Sequence, residues 1–447
     1  MNYLACFATV GLLVAACQAP GGGATTDDQG STTGDPEQTT TTTTTGPEPT
    51  DTSTTVESDT LAPTTGPLGE CEQPFVIPDP VLFDAVRELL GLIDEAEISP
   101  AQAQQVEQLF GGVKDTPILS LQGLQCFVNL TTLGLDNAQV SDFGPLAGLQ
   151  QLQDLDLAGS QAADLSPLAG LPELRRLSLR ESVPVDFAPL AGHPALADVT
   201  FSLAGEGELP DLQPFGQMPG LRTLRLVNSG SGLPNLAGLS GAPVLRELVV
   251  NGCALASLEG LEGVATLRSL EAERNQLVDV SPLAGLPALE HLRLVDNALT
   301  DVAPLGQIGT LVTLELRLNA ITSLAGLEAL TNLTELGVQN NAITELVPVA
   351  PATLTRLFAS ENALVDLDAL AGHEALTEVV AWGNAITSLA PLADAPWLVD
   401  NCAVLEVWDN PLDDETSTVV LPALCELGDA GITWDEGGCV SDCREGP

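Results

Sequence analysis

One pattern of apolar residues, recurring from about residue 106 to residue 412, limits what this chain can fold into. The unit reads L-x-x-L-x-L-x-x-N-x-L and returns roughly every 22 residues, with one copy running from Leu289 to Leu299 and the next from Leu311 to Ile321. Leucines at the first, fourth and sixth positions of the unit form one face of a short strand. A single unit of this size cannot bury that face, so successive units must stack on one another. The sequence therefore predicts a linear array of about thirteen repeats, preceded by a degenerate repeat that ends near Ile118.

A repeat of this length and pattern is typical of leucine-rich-repeat proteins. The predicted fold is an α/β solenoid, a horseshoe with short parallel strands on its concave face. The ninth position of the unit is Asn in the last seven repeats and Ser, Ala or Cys in the first six. Because an Asn side chain can bond more backbone groups than these residues can, we expect the N-terminal half to be held less tightly. Cys253 occupies this position and is predicted to be a small buried thiol.

The first 69 residues predict export and a tether rather than a folded domain. Residues 1–16 contain an apolar run that is too short to span a bilayer and is typical of a signal peptide. The small residues before Cys17 resemble the lipobox of bacterial lipoproteins, which implies a lipid on the Cys17 thiol and cleavage just before it. The alternative is a plain secretory signal that is cut nearby. Residues 17–69 are rich in Thr, Pro, Gly and acids, a composition that predicts a disordered tether.

Both ends of the repeat array, which is predicted over residues 119–412, are predicted to be capped. In residues 70–118, Asp79 and Pro80 suit the first turn of a helix that ends at Gly91, and Ser99 with Gln102 forms a capping-box pattern. Residues 413–447 are predicted to form a cysteine-containing C-terminal cap.

Seven cysteines follow Cys17, and the six other than Cys253 predict a disulfide framework in an exported chain. A metal site is not expected, because the compartment is oxidising and no His lies near this cluster. Sequence alone does not fix the pairing of six cysteines. The pairing that we favour is Cys71–Cys126, Cys402–Cys425 and Cys439–Cys443.

Several short segments resemble internalin-like bacterial leucine-rich-repeat proteins. They are Val76-Ile77-Pro78-Asp79-Pro80, Leu121-Gln122-Gly123-Leu124, and the Ser-Pro-Leu-Ala-Gly-Leu turns at 166–171 and 281–286. The resemblance covers residues 75 to about 412. It implies the horseshoe fold with a helical N-terminal cap.

The charge of the chain argues against some partners and leaves others open. A net charge of −47 argues against nucleic acid and against a polybasic membrane contact, so a membrane is expected to be reached only through the lipid anchor. In three columns of residues at equivalent positions of successive repeats, the side-chain charges alternate in sign. Such pairs on neighbouring strands stabilise a sheet by themselves, so these columns need no ligand. They are Asp154-Arg176-Asp198, Glu271-Arg293-Glu315 and Glu335-Arg356-Glu378.

Three arginines, Arg222, Arg246 and Arg268, follow one another at the second position of successive repeats with no acid between them, and Arg225 lies close by. Two interpretations remain open. Either an anion or a carboxylate of a partner lies there, or the side chains turn outward to acids on the convex side. The residues predicted to bind a partner include all four of these arginines.

Aromatic residues are scarce in this chain, yet Phe358, Trp382 and Trp408 all fall at concave positions of the last three repeats. Exposed aromatic side chains on a rigid sheet are typical anchors of a binding site. The alternative is that the C-terminal cap folds over them and buries them.

No motif indicates catalysis or a cofactor. His291 has Ser269 beside it in its column, but an open sheet offers neither a pocket nor oxyanion donors. The sequence therefore predicts a non-enzymatic, lipid-anchored surface or envelope protein that binds a protein partner through its concave face. Gln18 after the lipidated cysteine favours an outer membrane. The alternatives are an envelope glycan stacked on Trp382 and Trp408, and a structural spacer or adhesin.

Overall fold

The structure, a computed structural model, describes most of the chain from residue 69 to residue 439. All described residues belong to one compact unit, residues 64–447. The signal peptide, Cys17, the tether and Cys443 lie outside the described residues. The described ranges are 69–92, 97–113, 115–161, 164–183, 185–203, 211–227, 232–350, 352–400, 402–426, 430–435 and 437–439.

A single sheet of sixteen strands runs through the described residues in strict chain order. Strands β1 to β15 are parallel, and β16 pairs antiparallel with β15. The strands are β1 Gln108–Gly111, β2 Thr132–Leu135, β3 Asp154–Leu157, β4 Arg176–Ser182, β5 Asp198–Leu203, β6 Thr223–Val227, β7 Glu247–Asn251, β8 Ser269–Glu271, β9 His291–Arg293, β10 Thr313–Glu315, β11 Glu335–Gly337, β12 Arg356–Phe358, β13 Glu378–Val380, β14 Val404–Glu406, β15 Gly431–Trp434 and β16 Gly437–Cys439.

The predicted repeat register is confirmed. Leu292 of β9 lies directly beside Leu314 of β10, and both side chains are fully buried. Strands β2 to β14 are the thirteen predicted repeat strands, and β1 belongs to the degenerate repeat before them. Strands β15 and β16 come from the C-terminal region and extend the same sheet by two strands. The leucines of successive repeats therefore form one continuous core along the solenoid.

Five α-helices accompany the sheet in the described part of the chain, besides short 3-10 turns: α1 Pro80–Leu90, α2 Pro100–Ala103, α3 Gln213–Gly216, α4 Pro396–Asp400 and α5 Leu421–Glu426. The start of α1 is fixed by Asp79, whose Oδ1 accepts hydrogen bonds from the Val81 and Leu82 amides at 3.0 Å. Its Oδ2 accepts a further bond from the Leu119 amide at 2.7 Å. One carboxylate thus joins the helix to the loop before the first complete repeat.

Helix α1 packs closely on the first strand because residue 111 is a glycine. A Cβ at Gly111 would lie 2.8 Å from the Cβ of Ala85. The helix buries Leu82 and Val86, whereas Leu89 is 52% exposed. Only one narrow face of the helix is therefore buried.

The asparagines at the ninth position of the last seven repeats, called the Asn column, join neighbouring repeats through hydrogen bonds. Asn319 Nδ2 donates to the carbonyl oxygens of Leu294 in the preceding repeat and Leu316 in its own, both at 2.9 Å. Its Oδ1 accepts from the Leu299 amide at 3.0 Å. In an earlier repeat, Ser182 Oγ donates to the Arg180 carbonyl at 3.3 Å. Each Asn therefore satisfies buried backbone groups of two repeats at once, where an unpaired group would be costly.

The disulfides confirm one predicted pair and contradict two others. Cys71 bonds Cys126, as predicted. The predicted Cys402–Cys425 and Cys439–Cys443 pairs are wrong, because Cys425 bonds Cys439 with a Cα–Cα distance of 5.8 Å. The reason is the hairpin of β15 and β16, which the sequence did not reveal and which brings Cys439 back toward α5. Cys402 is also disulfide-bonded.

The buried-thiol prediction for Cys253 is confirmed. Its side chain is fully buried, and its Sγ lies 3.4 Å from the carbonyl oxygen of Leu226.

Candidate functional site

The concave face of the sheet carries the residues that the sequence singled out for binding. Along strands such as β8 and β10, a buried leucine alternates with partly exposed neighbours on either side. Neighbouring strands are hydrogen-bonded throughout the sheet, so these exposed side chains project from a backbone with fixed spacing. Repeats of this kind form extended concave binding surfaces.

Two tryptophans stack on each other near the C-terminal end of this face. The ring centroids of Trp382 and Trp408 are 4.3 Å apart, and the ring planes differ by 9°. The backbone beneath them is held in place, since the Trp382 carbonyl accepts from the Glu361 amide and the Trp408 carbonyl accepts from the Gly383 amide. Trp408 is 38% exposed, so the C-terminal strands do not bury it.

Phe358 lies on β12, the strand next to β13, and is only partly exposed. The guanidinium carbon of Arg356 lies 4.8 Å from the Phe358 ring centroid. Arg356 also forms ion pairs with Glu335 and Glu378, at 3.1 and 3.0 Å. This arginine therefore covers part of Phe358 and is itself neutralised from both neighbouring strands.

The alternating columns form ion pairs, as predicted, but not always with the expected partner. Arg176 donates from Nε and Nη2 to the two carboxylate oxygens of Asp154, at 2.6 and 3.1 Å. Arg293 instead donates to Glu273, at 2.9 Å. Glu273 stands two positions beyond the expected Glu271, so the long arginine side chain reaches past its direct neighbour.

The side chain of Glu315, which belongs to the same column as Arg293, is partly buried. Its carboxylate lies where a side chain at Gly337 would stand. Burial raises the pKa of Glu315, and the charge of nearby Glu335 raises it further, while Arg293 and Arg317 act in the opposite direction. Around Glu315, charged side chains of neighbouring strands therefore interact with one another.

The four arginines of the basic region divide into two pairs. Arg225 bonds Glu247 at 2.6 Å, and Arg268 bonds Glu290 at 2.8 Å. Arg222 and Arg246 are exposed and form no ion pair with any described residue. Two arginines of adjacent repeats are therefore left without an acidic partner among the described residues, whereas Arg225 and Arg268 are each ion-paired.

The structure also reveals a hollow at the N-terminal end of the face, which the repeat pattern did not indicate. It has a volume of about 760 Å³, and Phe110, Gly134 and Asp136 are among its lining residues. Phe110 is 65% exposed, and a Cβ on Gly134 would lie 2.8 Å from its ring. Phe110 occupies the fifth position of the degenerate first repeat, so extending the register to that repeat would have found it.

No catalytic arrangement emerges among the described residues. His291 Nδ1 lies 2.9 Å from Thr313 Oγ1 on an exposed part of the sheet. The other two histidines, His193 and His373, are buried in turns, and burial lowers the pKa of each. Over the described ranges, no group of His, Cys, Asp and Glu could hold a metal ion. No helix in the same ranges has the length and hydrophobicity to cross a membrane.

Comparisons with known proteins agree with this architecture. No protein-family model and no curated protein sequence matches the chain. A solved internalin of Listeria monocytogenes (inlF) is 27% identical, with a TM-score of 0.64 over 75% of this chain and 97% of its own. A leucine-rich-repeat protein of Leptospira interrogans shares the fold at 17% identity, with a TM-score of 0.52 over 75% of this chain and 91% of its own. This chain is an internalin-like leucine-rich-repeat protein.

Proposed function

We propose that this protein is a non-enzymatic binding module that holds a protein partner on its concave face. The stacked pair of Trp382 and Trp408 is the observation that carries the proposal. Large aromatic side chains on a rigid surface supply much contact area at little entropic cost, and they dominate the binding energy of many interfaces. The residues assigned to the partner are Phe358, Trp382, Trp408, Arg222, Arg225, Arg246 and Arg268.

The stacking geometry favours a protein over a glycan. A sugar ring stacks on an open aromatic face, whereas each of these two indoles uses one face to cover the other. What remains accessible is the exposed part of Trp408, which is 38% exposed, and of Trp382, which is partly exposed. Such a ridge suits an apolar cleft of a protein partner with an acceptor at its rim. Glycan binding stays the second candidate, because Trp408 keeps an exposed surface.

We further propose that the protein is exported and anchored through a lipid on Cys17, with residues 17–69 as the tether. The lipobox-like sequence before Cys17 supports the anchor. The disulfides Cys71–Cys126 and Cys425–Cys439 support an oxidising compartment, since such bonds are rare in the cytosol. In this proposal the repeat domain stands off an outer membrane or cell surface and meets its partner there.

Site-directed photo-crosslinking in an envelope extract tests the proposal. A photoreactive residue replaces Phe358 in the full chain, and a second probe replaces Val419, which is 59% exposed in the C-terminal region. We expect a discrete protein adduct from position 358 and none from position 419. The Trp382→Ala/Trp408→Ala variant should abolish the adduct, while a Ser269→Ala/Thr313→Ala variant on the same face should retain it.

The other outcomes identify the competing functions. Quenching of tryptophan fluorescence by envelope oligosaccharides, without a protein adduct, would replace the protein partner with a glycan. Identical adducts from both probe positions, unchanged by the tryptophan substitutions, would contradict a binding site and favour a spacer or adhesin. Urea midpoints of all variants establish that each one is folded.

A further inference from the structure

We infer that Arg222 and Arg246 form a two-arginine site for carboxylates in an acidic segment of the partner. This inference rests on the proposed function and specifies the chemistry of one contact. The two residues precede the adjacent strands β6 and β7 at equivalent positions of their repeats. Both side chains are exposed, and neither forms an ion pair with a described residue.

The backbone fixes the two arginines beside each other. The Arg246 amide donates to the Arg222 carbonyl at 2.8 Å, and the Arg268 amide donates to the Arg246 carbonyl at 2.8 Å. Neighbouring strands lie about 4.8 Å apart, so the two side chains start from nearly that separation. Like charges on neighbouring strands repel each other unless the side chains splay apart, and an anion bound between them offsets the repulsion.

The local sequence explains why these two arginines lack an acid. Arg175 stands at the same repeat position and pairs at 3.2 Å with Glu173, two residues before it. The residues in that place before Arg222 and Arg246 are Gly220 and Val244, which carry no charge.

The next repeat does not supply an acid either. Arg268 pairs with Glu290, the residue at the same position of the following repeat. For Arg222 that following residue is Arg246, and for Arg246 it is Arg268. In a chain with 61 acidic and 14 basic residues, the run of three arginines thus leaves its first two members without an ion pair in the described part of the chain.

The surroundings favour carboxylates over a phosphate group. Phosphate sites commonly use free backbone N–H groups as well as cations. Here the Arg246 and Glu247 amides both donate to the Arg222 carbonyl, so the sheet already uses them. Guanidinium groups alone recognise carboxylates well, through two parallel hydrogen bonds each. In an extended acidic segment, alternate side chains lie about 6.6 Å apart on one face, within the reach of two arginines that splay slightly.

Fluorescence anisotropy with a labelled peptide of alternating Glu and Ser residues tests the inference on the full chain. The Arg222→Gln/Arg246→Gln variant should bind this peptide at least fivefold more weakly than the parent chain. The matched control is Arg274→Gln/Arg317→Gln, which removes the same charge from two exposed arginines that also form no ion pair with a described residue. The control should bind as the parent does, and a peptide with Gln in place of Glu should bind to none of them.

Three results would overturn the inference. The first is an equal loss in the control variant, which would mean that only the overall charge matters. The second is inorganic phosphate binding that depends on the two arginines while the Glu peptide does not bind. The third is no binding of the Glu peptide to the parent chain. Any of these, with the tryptophan-dependent adduct intact, would remove the acidic segment and leave the proposed function standing. Absence of the tryptophan-dependent adduct, with binding of the Glu peptide intact, would instead contradict the proposed function and leave the two-arginine carboxylate site standing.

Discussion

The Asn column makes a quantitative prediction about how neighbouring repeats share hydrogen bonds. Asn319→Ala leaves the buried Leu299 amide without its acceptor, and Asn341→Ala does the same to the Ile321 amide. The carbonyl of Leu316 accepts from both asparagines, at 2.9 and 3.0 Å, so either single substitution leaves it one donor. Only the double substitution orphans this carbonyl.

The free energies follow from that count of orphaned groups. A buried backbone group without a partner costs about 1–3 kcal/mol. We therefore expect each single substitution to lower the free energy of unfolding by about 2–3 kcal/mol, including the weaker bonds that are lost. The double variant should lose a further 1–2 kcal/mol or so beyond the sum, because the Leu316 carbonyl is then unpaired.

Urea unfolding of the full chain, monitored by far-UV circular dichroism, measures these free energies of unfolding, and the variants are compared at an unchanged m-value. The matched control pairs Asn319→Ala with Asn384→Ala, which lies three repeats away and bonds the carbonyls of Ala359, Ala381 and Trp382. That pair shares no carbonyl, so its effects should add within about 0.5 kcal/mol. Additivity of the adjacent pair within the same margin would refute the shared-carbonyl reasoning.

Three further predictions concern other parts of the molecule. Burial lowers the pKa of His373, so below about pH 6.5 the unfolded chain binds more protons than the folded one and stability should fall. The His373→Leu variant should therefore show a smaller change in urea midpoint between about pH 7.5 and 5.5 than the parent chain. Gly216→Ala should destabilise by about 2 kcal/mol or more in thermal unfolding, because its Cβ would meet the Gly238 carbonyl oxygen, while Gly148→Ala, with nothing within 4 Å, should change stability by less than about 1 kcal/mol. The stacked indoles should give an exciton couplet in far-UV circular dichroism that disappears in Trp382→Phe and in Trp408→Phe alike.

The repeat pattern predicted the core because its signal is periodic and each copy reinforces the next. The positions of Leu292, Leu314 and Cys253 all followed from the register, and the structure buries each of them. The same register placed Trp382 and Trp408 at equivalent positions of neighbouring repeats. It could not predict that their rings stack, because the ring orientation depends on side-chain torsions and on what surrounds them.

The features that sequence reasoning missed depend on contacts without a periodic signature. Leu318, Asp296 and Arg274 adopt left-handed backbone angles immediately before a column Asn, with φ values of 57°, 58° and 55°. Residues other than Gly pay about 1–2 kcal/mol for this conformation, and the varied residue types at the position give no hint of it. The hydrogen bonds of the following Asn hold this backbone bend in place. These bonds, and not the type of residue at the bend, therefore determine the left-handed conformation.

The cysteine pairing failed for a related reason. The predicted Cys402–Cys425 pair would join the last repeat strand to the helix that follows it, and it takes no account of a later hairpin. The hairpin of β15 and β16 consists of short segments with glycines at Gly431, Gly437 and Gly438, which is a weak strand signal. Its strands form because the sheet edge of β14 offers backbone groups to pair with, a tertiary effect that local sequence does not encode.

The distance between the two proposed contacts restricts the partner further. The arginine pair lies at β6 and β7 and the tryptophan pair follows β13 and β14, a separation of seven strands or about 34 Å along the sheet. An extended segment rises about 3.3 Å per residue, so it would need about ten residues to reach both. A single sugar unit or a short peptide cannot do so. A ligand that contacts both regions is therefore a folded protein or a long extended segment. Because the two regions share no contact, the binding energies lost on substituting each of them should add.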